Sequence, residues 1–433
     1  MDIVSFFCWL NTAVLSYPLI IVFFSVGIIL TGMTRFAQIR AFPQFIRLVT
    51  HGMRHTHQAH TINSFHALFA AISTTMGMGN IVGPSLAIMV GGPGALFWLL
   101  VYIFFGSVIK FAEVTFAVAT RIKTEDGHII GGPMQYLKVV SSALAQWYNV
   151  AIIVLLISWT SLQSNTLASI LVQENIPAWV TGLLLSLLTL VILRGGAELV
   201  GSLASRLVPL MFVLYVSSVL FILFKDIALL REAFALVCST IFTRAAAVGG
   251  FAGATVFQAM RIGILRGILM TEAGVGTSAI PHALSDAQRP VDQGILAMCS
   301  MVTDMFLSLI SGLLALVTGV WMQGVFRSTL IYEAFSLHLP VFGRWVLVFS
   351  VILFVLTTVI GNSFNGMQSF NALTRYRFVQ WYIGLICLVV FFGAIISAPL
   401  AWEIADTIMV LVALPNLLGL VILTYRNRNM LKI

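Results

Sequence analysis

The sequence predicts an all-α membrane protein, one bundle of about eleven transmembrane helices in a single domain over residues 1–433. Three observations predict it. Hydrophobic residues make up 60% of the chain and charged ones only 9%, against about 25% charged in soluble domains. Apolar runs recur from Leu10 to Leu423, each close to the roughly 20 residues that cross a bilayer as helix. The excess of basic over acidic residues, 23 against 15, sits at the ends of those runs, where loop charge sets orientation. That placement excludes nucleic acid as a partner, since no basic patch interleaved with aromatics occurs.

Hydropathy with Gly, Pro and charge punctuation places the spans. Residues 1–34 carry no Lys or Arg, and the apolar run from Ala13 to Met33 is too long for the core of a secretory signal, so 12–33 is expected to be a first membrane helix. The second span, 65–90, holds the stretch TTMGMGNIVG (74–83), and the third, 95–119, ends before Arg121. Spans 148–171, 178–193 and 205–224 follow. The seventh, 245–262, is weakened by the glycines of AAAVGGFAGATV (245–256). Spans 293–320, 340–366, 379–397 and 399–424 complete the chain. The cysteines (Cys8, Cys238, Cys299, Cys387) are far apart, with no CxxC or Cys/His zinc spacing, so neither a disulfide framework nor a structural metal is expected.

With the N-terminus outside and the C-terminus in the cytoplasm, seventeen basic residues between Arg35 and Lys432 fall on inside loops and flanks. Five fall outside (Lys225, Arg231, Arg244, Arg327, Arg344), and Lys110 lies within a helix. The positive-inside rule favours this orientation in a plasma membrane, the inner membrane if the source is bacterial.

Glycine runs are poor helix material, each interior Gly costing about 1 kcal/mol against Ala. Two such runs, in the second and seventh spans, lie five spans apart. An odd repeat inserts its halves with opposite topology, so 65–224 and 245–424 form a five-plus-five inverted repeat behind the extra helix 12–33. Paired interrupted helices in an inverted repeat point to a binding site at the membrane midplane. Unwound backbone there offers carbonyls to a cation and amides to an anion.

The blocks GMGNIVG…GGPGALFWLLVYIFFGSVIKFAEVTFAV (77–118), GGPMQYL (131–137), GGFAGATVFQAMRIGILRGILMTEAGVGTSAIPHA (249–283) and PLAWEIADTIMVLVALPNLLGL (399–420) resemble the alanine or glycine:cation symporter family over nearly the whole chain. The resemblance implies sodium-coupled uptake of small neutral amino acids on the inverted-repeat fold of sodium-coupled amino-acid transporters. The chain departs from the family pattern at Met78, Pro84 and Thr271, and at Asn362, where many members place Trp.

The expected substrate contacts are Thr75, Gly77, Gly79, Gln163, Gly250 and Asn362. The expected cation contacts are Ser73, Asn80, Thr357 and Thr358. Asn80 offers a hard oxygen ligand or a cap for the second half-helix. One of Ser73, Thr74 and Thr75 is expected to face the site. Thr357 and Thr358 match, by resemblance, a hydroxyl pair completing a sodium site with carbonyls of the second span, and Gln163 is by resemblance a substrate contact beside Asn165. Asp304, an intramembrane carboxylate, suits a cation path, a proton relay or a buried ion pair. Glu403 and Asp406 suit a gate or a cap near the outer face. Lys110 and Glu113 read as a structural pair near the inner surface, and Glu272 as a cap on a cytoplasmic helix. The His-rich stretch HGMRHTHQAH (51–60) lacks neighbouring Cys or carboxylate ligands and reads as a solvated loop.

No HExxH, GxSxG or Walker-type motif occurs, which argues against an intramembrane enzyme or a nucleotide-driven pump. A channel would carry a filter loop or a repeated charged ring. The expected partners are a small neutral amino acid, sodium as co-transported ion and the lipid bilayer, with no cofactor, nucleotide or resident metal. Proton coupling is the alternative.

Overall fold

The structure, a computed structural model, describes residues 3–51, 61–125, 127–242, 256–323, 329–339, 342–396 and 398–433. The main helices are α1 (Ser16–Met33), α2 (Ser64–Thr75), α3 (Met78–Gly91), α4 (Ala95–Ala119), α5 (Ser142–Val172), α6 (Ala178–Arg194) and α7 (Gly196–Lys225). They continue with α8 (Val256–Thr271), the short α9 (Ala279–Ala283), α10 (Pro290–Thr318), α11 (Phe342–Thr374), α12 (Val379–Gly393) and α13 (Ala398–Arg426). Strand pairing among the described residues is confined to the antiparallel Ile122–Lys123 with Ile129–Ile130 and one bridge, Ile62 with Ser285.

Among the described residues, eight helices, counting the interrupted 64–91 as one, are long and apolar enough to cross a membrane, and α6 and α12 are shorter apolar helices. Their outer faces are greasy. Ile21, Val191, Val213, Phe221, Trp381 and Phe392 are each more than half exposed, which suits a solvent of lipid. Polar groups turn inward instead, as they must where hydrocarbon offers no hydrogen bonds: Asn80, Lys110, Glu113, Glu272 and Asp304 are all buried.

Taken by its main helices, the element order runs twice through one interrupted helix followed by four more: α2/α3 then α4 to α7, and α8/α9 then α10 to α13. Helix α4 packs against α10 and α8, while α5 packs against α11 and α13, which brings both interruptions into the middle of the bundle. The second interruption that the structure describes is not the glycine run 245–256 named by the sequence reading. Residues 243–255 lie outside the described residues, and with them Gly250 and the run AAAVGGFAG. The described discontinuity is Glu272–Ser278, at the far end of α8. Three residues there have positive φ: Glu272 (60°), Gly274 (92°) and Gly276 (86°). An α-helix cannot continue through such a run.

One end of the bundle gathers Arg121, Lys138, Arg194 and Arg375, and this is its basic end. There Ile62 N donates to Leu284 O (3.0 Å) and Asp286 N to Ile62 O (2.9 Å). Ser64 donates to Asp286 Oδ1 from both its amide (2.9 Å) and its hydroxyl (2.6 Å). Arg121 donates to the carbonyls of Ala283, Ser285 and Ala287. This joint ties the start of α2 to the segment following α9.

Candidate functional site

The first interruption is short. Only Met76 and Gly77 separate α2 from α3. Met76 N bonds Ile72 O (2.7 Å), Gly77 N folds back to Thr75 O (3.0 Å), and Asn80 N returns to Gly77 O (3.1 Å). The ladder stops, leaving terminal carbonyls and amides without intrahelical partners. The hydroxyl of Thr358, on α11, lies 3.0 Å from Ser73 O, 3.4 Å from Met76 O and 2.8 Å from Phe354 O. One hydroxyl proton therefore faces three carbonyl oxygens. On the other side of the gap Met78 N donates to Gln163 Oε1 (3.3 Å). Gly77 is needed for space: a Cβ there would stand 2.8 Å from Thr358 Oγ1 and 3.1 Å from Gln163 Nε2.

Beside this gap Thr75 Oγ1 and Asn80 Nδ2 each donate to Asp304 Oδ1 at 3.3 Å. Asn80 Oδ1 and Asp304 Oδ2 are buried with no protein partner. Two acceptor oxygens are thus left facing a low-dielectric interior, an arrangement that favours a cation.

The second interruption is stitched from outside. Lys110 Nζ donates to Thr271 O (3.2 Å), Tyr102 to Ala273 O (2.9 Å), Asn416 to Gly274 O (2.9 Å) and Tyr148 to Val275 O (2.6 Å). Glu113 Oε1 accepts from Gly274 N (3.0 Å) and from Asn416 Nδ2 (2.8 Å). Lys110 and Glu113 are therefore not a pair at the inner surface. Both are fully buried, and each holds a different group of the break. Glu272 is not a cap on a solvated helix either: it accepts from Thr74 Oγ1 (3.2 Å) and Thr277 Oγ1 (2.5 Å) and so joins the two interruptions.

Between the interruptions lies a pocket lined by Thr74, Thr75, Gly77, Met78, Gly79 and Glu272, with Trp159, Leu162, Gln163 and Thr166 from α5, Leu269, Asn362 and Trp402. Over Trp402, on the side away from the basic end, the Arg266 guanidinium stands 5.0 Å from the ring centroid and 2.7 Å from Asp406 Oδ2. Arg261 and Arg266 are among the seventeen basic residues that the sequence reading counts on inside loops and flanks. Both instead lie within α8 and are buried.

Of the residues expected in the site, Thr75, Gly77, Gly79, Gln163 and Asn362 line the pocket. Ser73 contributes its carbonyl to Thr358, while its hydroxyl bonds Ala70 O (2.8 Å). Thr357 is turned toward α7, its hydroxyl on Leu353 O (2.9 Å) and beside Met211 Sδ. Asn165 ties α5 to Gly393 O and Ile396 O. Among the described residues no group of three or more His, Cys, Asp or Glu could hold a metal; residues 52–60 of the His-rich loop lie outside them. Sequence reading missed Trp159, Trp402, Leu269 and the role of Glu272. The run EAGVGT carried the same glycine signal as GMGNIVG, masked by the charge beside it.

Residues 1–432 match the model of the sodium:alanine symporter family. The chain belongs to that family. It is 29% identical to the sodium/alanine symporter AgcS of Methanococcus maripaludis, over 98% of this chain and 95% of that protein. It is also 29% identical to the probable sodium/glutamine symporter GlnT of Bacillus subtilis, over 96% of this chain and 87% of that one. The crystal structure of MhsT in complex with L-phenylalanine shares the fold, with a TM-score of 0.62 at 15% identity over 83% of this chain and 88% of that one. As a family member the chain is a multi-pass membrane transporter of the sodium-coupled amino-acid class, and its relatives are transporters rather than enzymes.

Proposed function

We propose that this symporter carries small neutral amino acids with sodium by alternating access. The observation that carries the reading is the single Thr358 proton shared among Ser73 O, Met76 O and Phe354 O. Oxygens gathered in this way suit a hard cation. Sodium would sit at that cluster, and Asn80 Oδ1 with Asp304 would supply further oxygen ligands. The cargo carboxylate would take the amides at the start of α3 around Gly77 to Gly79, where the helix dipole favours an anion, beside Gln163. Two relatives are named for alanine and for glutamine, which supports a neutral cargo. Arg266, though close, is already neutralised by Asp406 and so does not invite an acidic one.

The Arg266–Asp406 lid over Trp402 would open outward, and the Ile62–Ser285 joint would open toward the cytoplasm. The two halves, 65–224 and 245–424, would rock against each other as inverted repeats, with the N-terminus outside and C-terminus inside. Purified full chain in proteoliposomes tests this, with sodium and pH gradients imposed independently. Alanine or glycine should accumulate under a sodium gradient at constant pH. Uptake driven by a proton gradient without sodium would replace sodium coupling with proton coupling, and stronger uptake of glutamate or lysine would overturn the neutral cargo.

A further inference from the structure

We propose that the pocket selects neutral amino acids whose side chain carries both a hydrogen-bond donor and an acceptor, a hydroxyl or a carboxamide, and that Trp159 and Asn362 read that side chain. The proposal rests on the amino-acid symport reading above.

Helix α5 starts near the basic end, just after Lys138, and α11 finishes there, just before Arg375. The two run antiparallel. Stepping back one turn from Gln163 reaches Trp159, and stepping forward one turn from Thr358 reaches Asn362. Both steps move about 5–6 Å toward the basic end. Trp159 and Asn362 therefore flank the pocket at one level, beyond the backbone groups proposed for the cargo carboxylate.

Both residues line the pocket and both are buried, 3% and 1% exposed. Trp159 Nε1 and Asn362 Oδ1 have no partner in the protein. Three groups nearby are engaged within the protein: Asn365 Nδ2 donates to Thr277 O (3.4 Å), Thr166 Oγ1 to Leu162 O (2.9 Å), and Gln163 Oε1 accepts from Met78 N. An indole N–H can only donate and a carboxamide oxygen can only accept. Satisfying both asks for one group that accepts and donates together.

Cargo chemistry sorts on this requirement. A methyl group or a hydrogen, as in alanine or glycine, leaves both atoms unmet in a low-dielectric site, which is costly. A side-chain carboxylate offers no donor and an ammonium offers no acceptor. A hydroxyl or a carboxamide answers both. Sites built to hydrogen-bond a cargo group reject analogues lacking it more sharply than apolar pockets reject a missing methylene.

Equilibrium displacement of labelled serine from the purified full chain, in saturating sodium, tests the proposal. Serine, threonine, asparagine or glutamine should displace the label at concentrations about tenfold below alanine. Trp159→Phe removes only the N–H, and Asn362→Leu removes only the polar end at similar size. Each should shrink the ratio of polar cargo to alanine several-fold. Equal or better displacement by alanine overturns the proposal, as does a wild-type ratio retained in both variants. Sodium-driven uptake of the same amino acids into proteoliposomes separates the layers. Uptake without polar preference overturns this selection alone. Polar-selective binding with no sodium-driven uptake overturns the symport reading and leaves the selection standing.

Discussion

The two helix breaks solve the same problem in opposite ways. The first spans Met76 and Gly77, uses no positive φ, and has its exposed carbonyls answered by one hydroxyl. The second spans Glu272–Ser278, bends through three positive-φ residues, and has its backbone held by Lys110, Tyr102, Tyr148, Asn416 and Glu113. A break stitched from all sides is a scaffold. A break left with spare oxygens and amides is free to meet a ligand. On the reading proposed above, damage to the second should appear as lost protein, and damage to the first as lost transport by protein that still folds.

The largest effect is expected at Lys110. Replacing it by Met strips a fully buried cation from Thr271 O and from the carboxylates around it, and removing one partner from a buried charged network costs about 3–5 kcal/mol. Membrane-inserted yield and the melting temperature in detergent should both fall sharply. A variant with normal yield and melting but no uptake would break the contrast between the two interruptions.

Gly77→Ala comes next. Its Cβ would sit 2.8 Å from Thr358 Oγ1, whereas a Cβ at Gly79 meets nothing closer than Met270 at 3.7 Å. Overpacking costs about 1–3 kcal/mol, so sodium-driven uptake by Gly77→Ala should drop at least about tenfold at normal inserted yield. Gly79→Ala should remain within a few-fold of wild type. Equal loss at both positions would mean that helix continuity, rather than room beside Thr358, governs the site.

The hydroxyls of α11 sharpen the comparison further. Thr358→Ala removes the group beside Ser73 O and Met76 O, while Thr357→Ala removes one that faces Met211. The sodium concentration for half-maximal uptake should rise several-fold in the first and stay put in the second. A rise in both would return the pair to a shared role. The smallest shift is expected for Asn80→Ala, which withdraws one oxygen and leaves Asp304 in place. Its sodium curve should move by about two- to threefold, with maximal uptake little changed; an unmoved curve would remove Asn80 from the cation's path.

What the sequence made legible follows the same physics. Helix extents were readable because lipid demands long apolar runs, and α4 was placed at its observed ends, 95–119. The first break was readable because glycines and an asparagine clustered inside such a run are poor helix material. The second was not, because Glu272 and Arg266 were read as boundary charges, and only the fold reveals that Thr74, Thr277 and Asp406 wait for them. Thr357 and Thr358 look alike in a sequence. One residue of helix turns them about 100° apart, and only one reaches the break. Trp159 carried no signal at all, since an aromatic in a membrane helix is ordinary until its N–H is found without a partner.

The joint at the basic end has a consequence for leak. Its bonds include four among Ile62, Ser64, Leu284 and Asp286, and at about 1 kcal/mol each these four alone would hold the open form at that end to roughly one molecule in a thousand. Ions escape through a carrier in proportion to the time it spends open on the wrong side. On the alternating-access reading proposed above, a seam of ordinary hydrogen bonds between the start of α2 and Asp286 would thus set how well an ion gradient survives the protein's presence in the membrane. Arg121, gripping three carbonyls on the same seam, tightens that seal without touching the pocket.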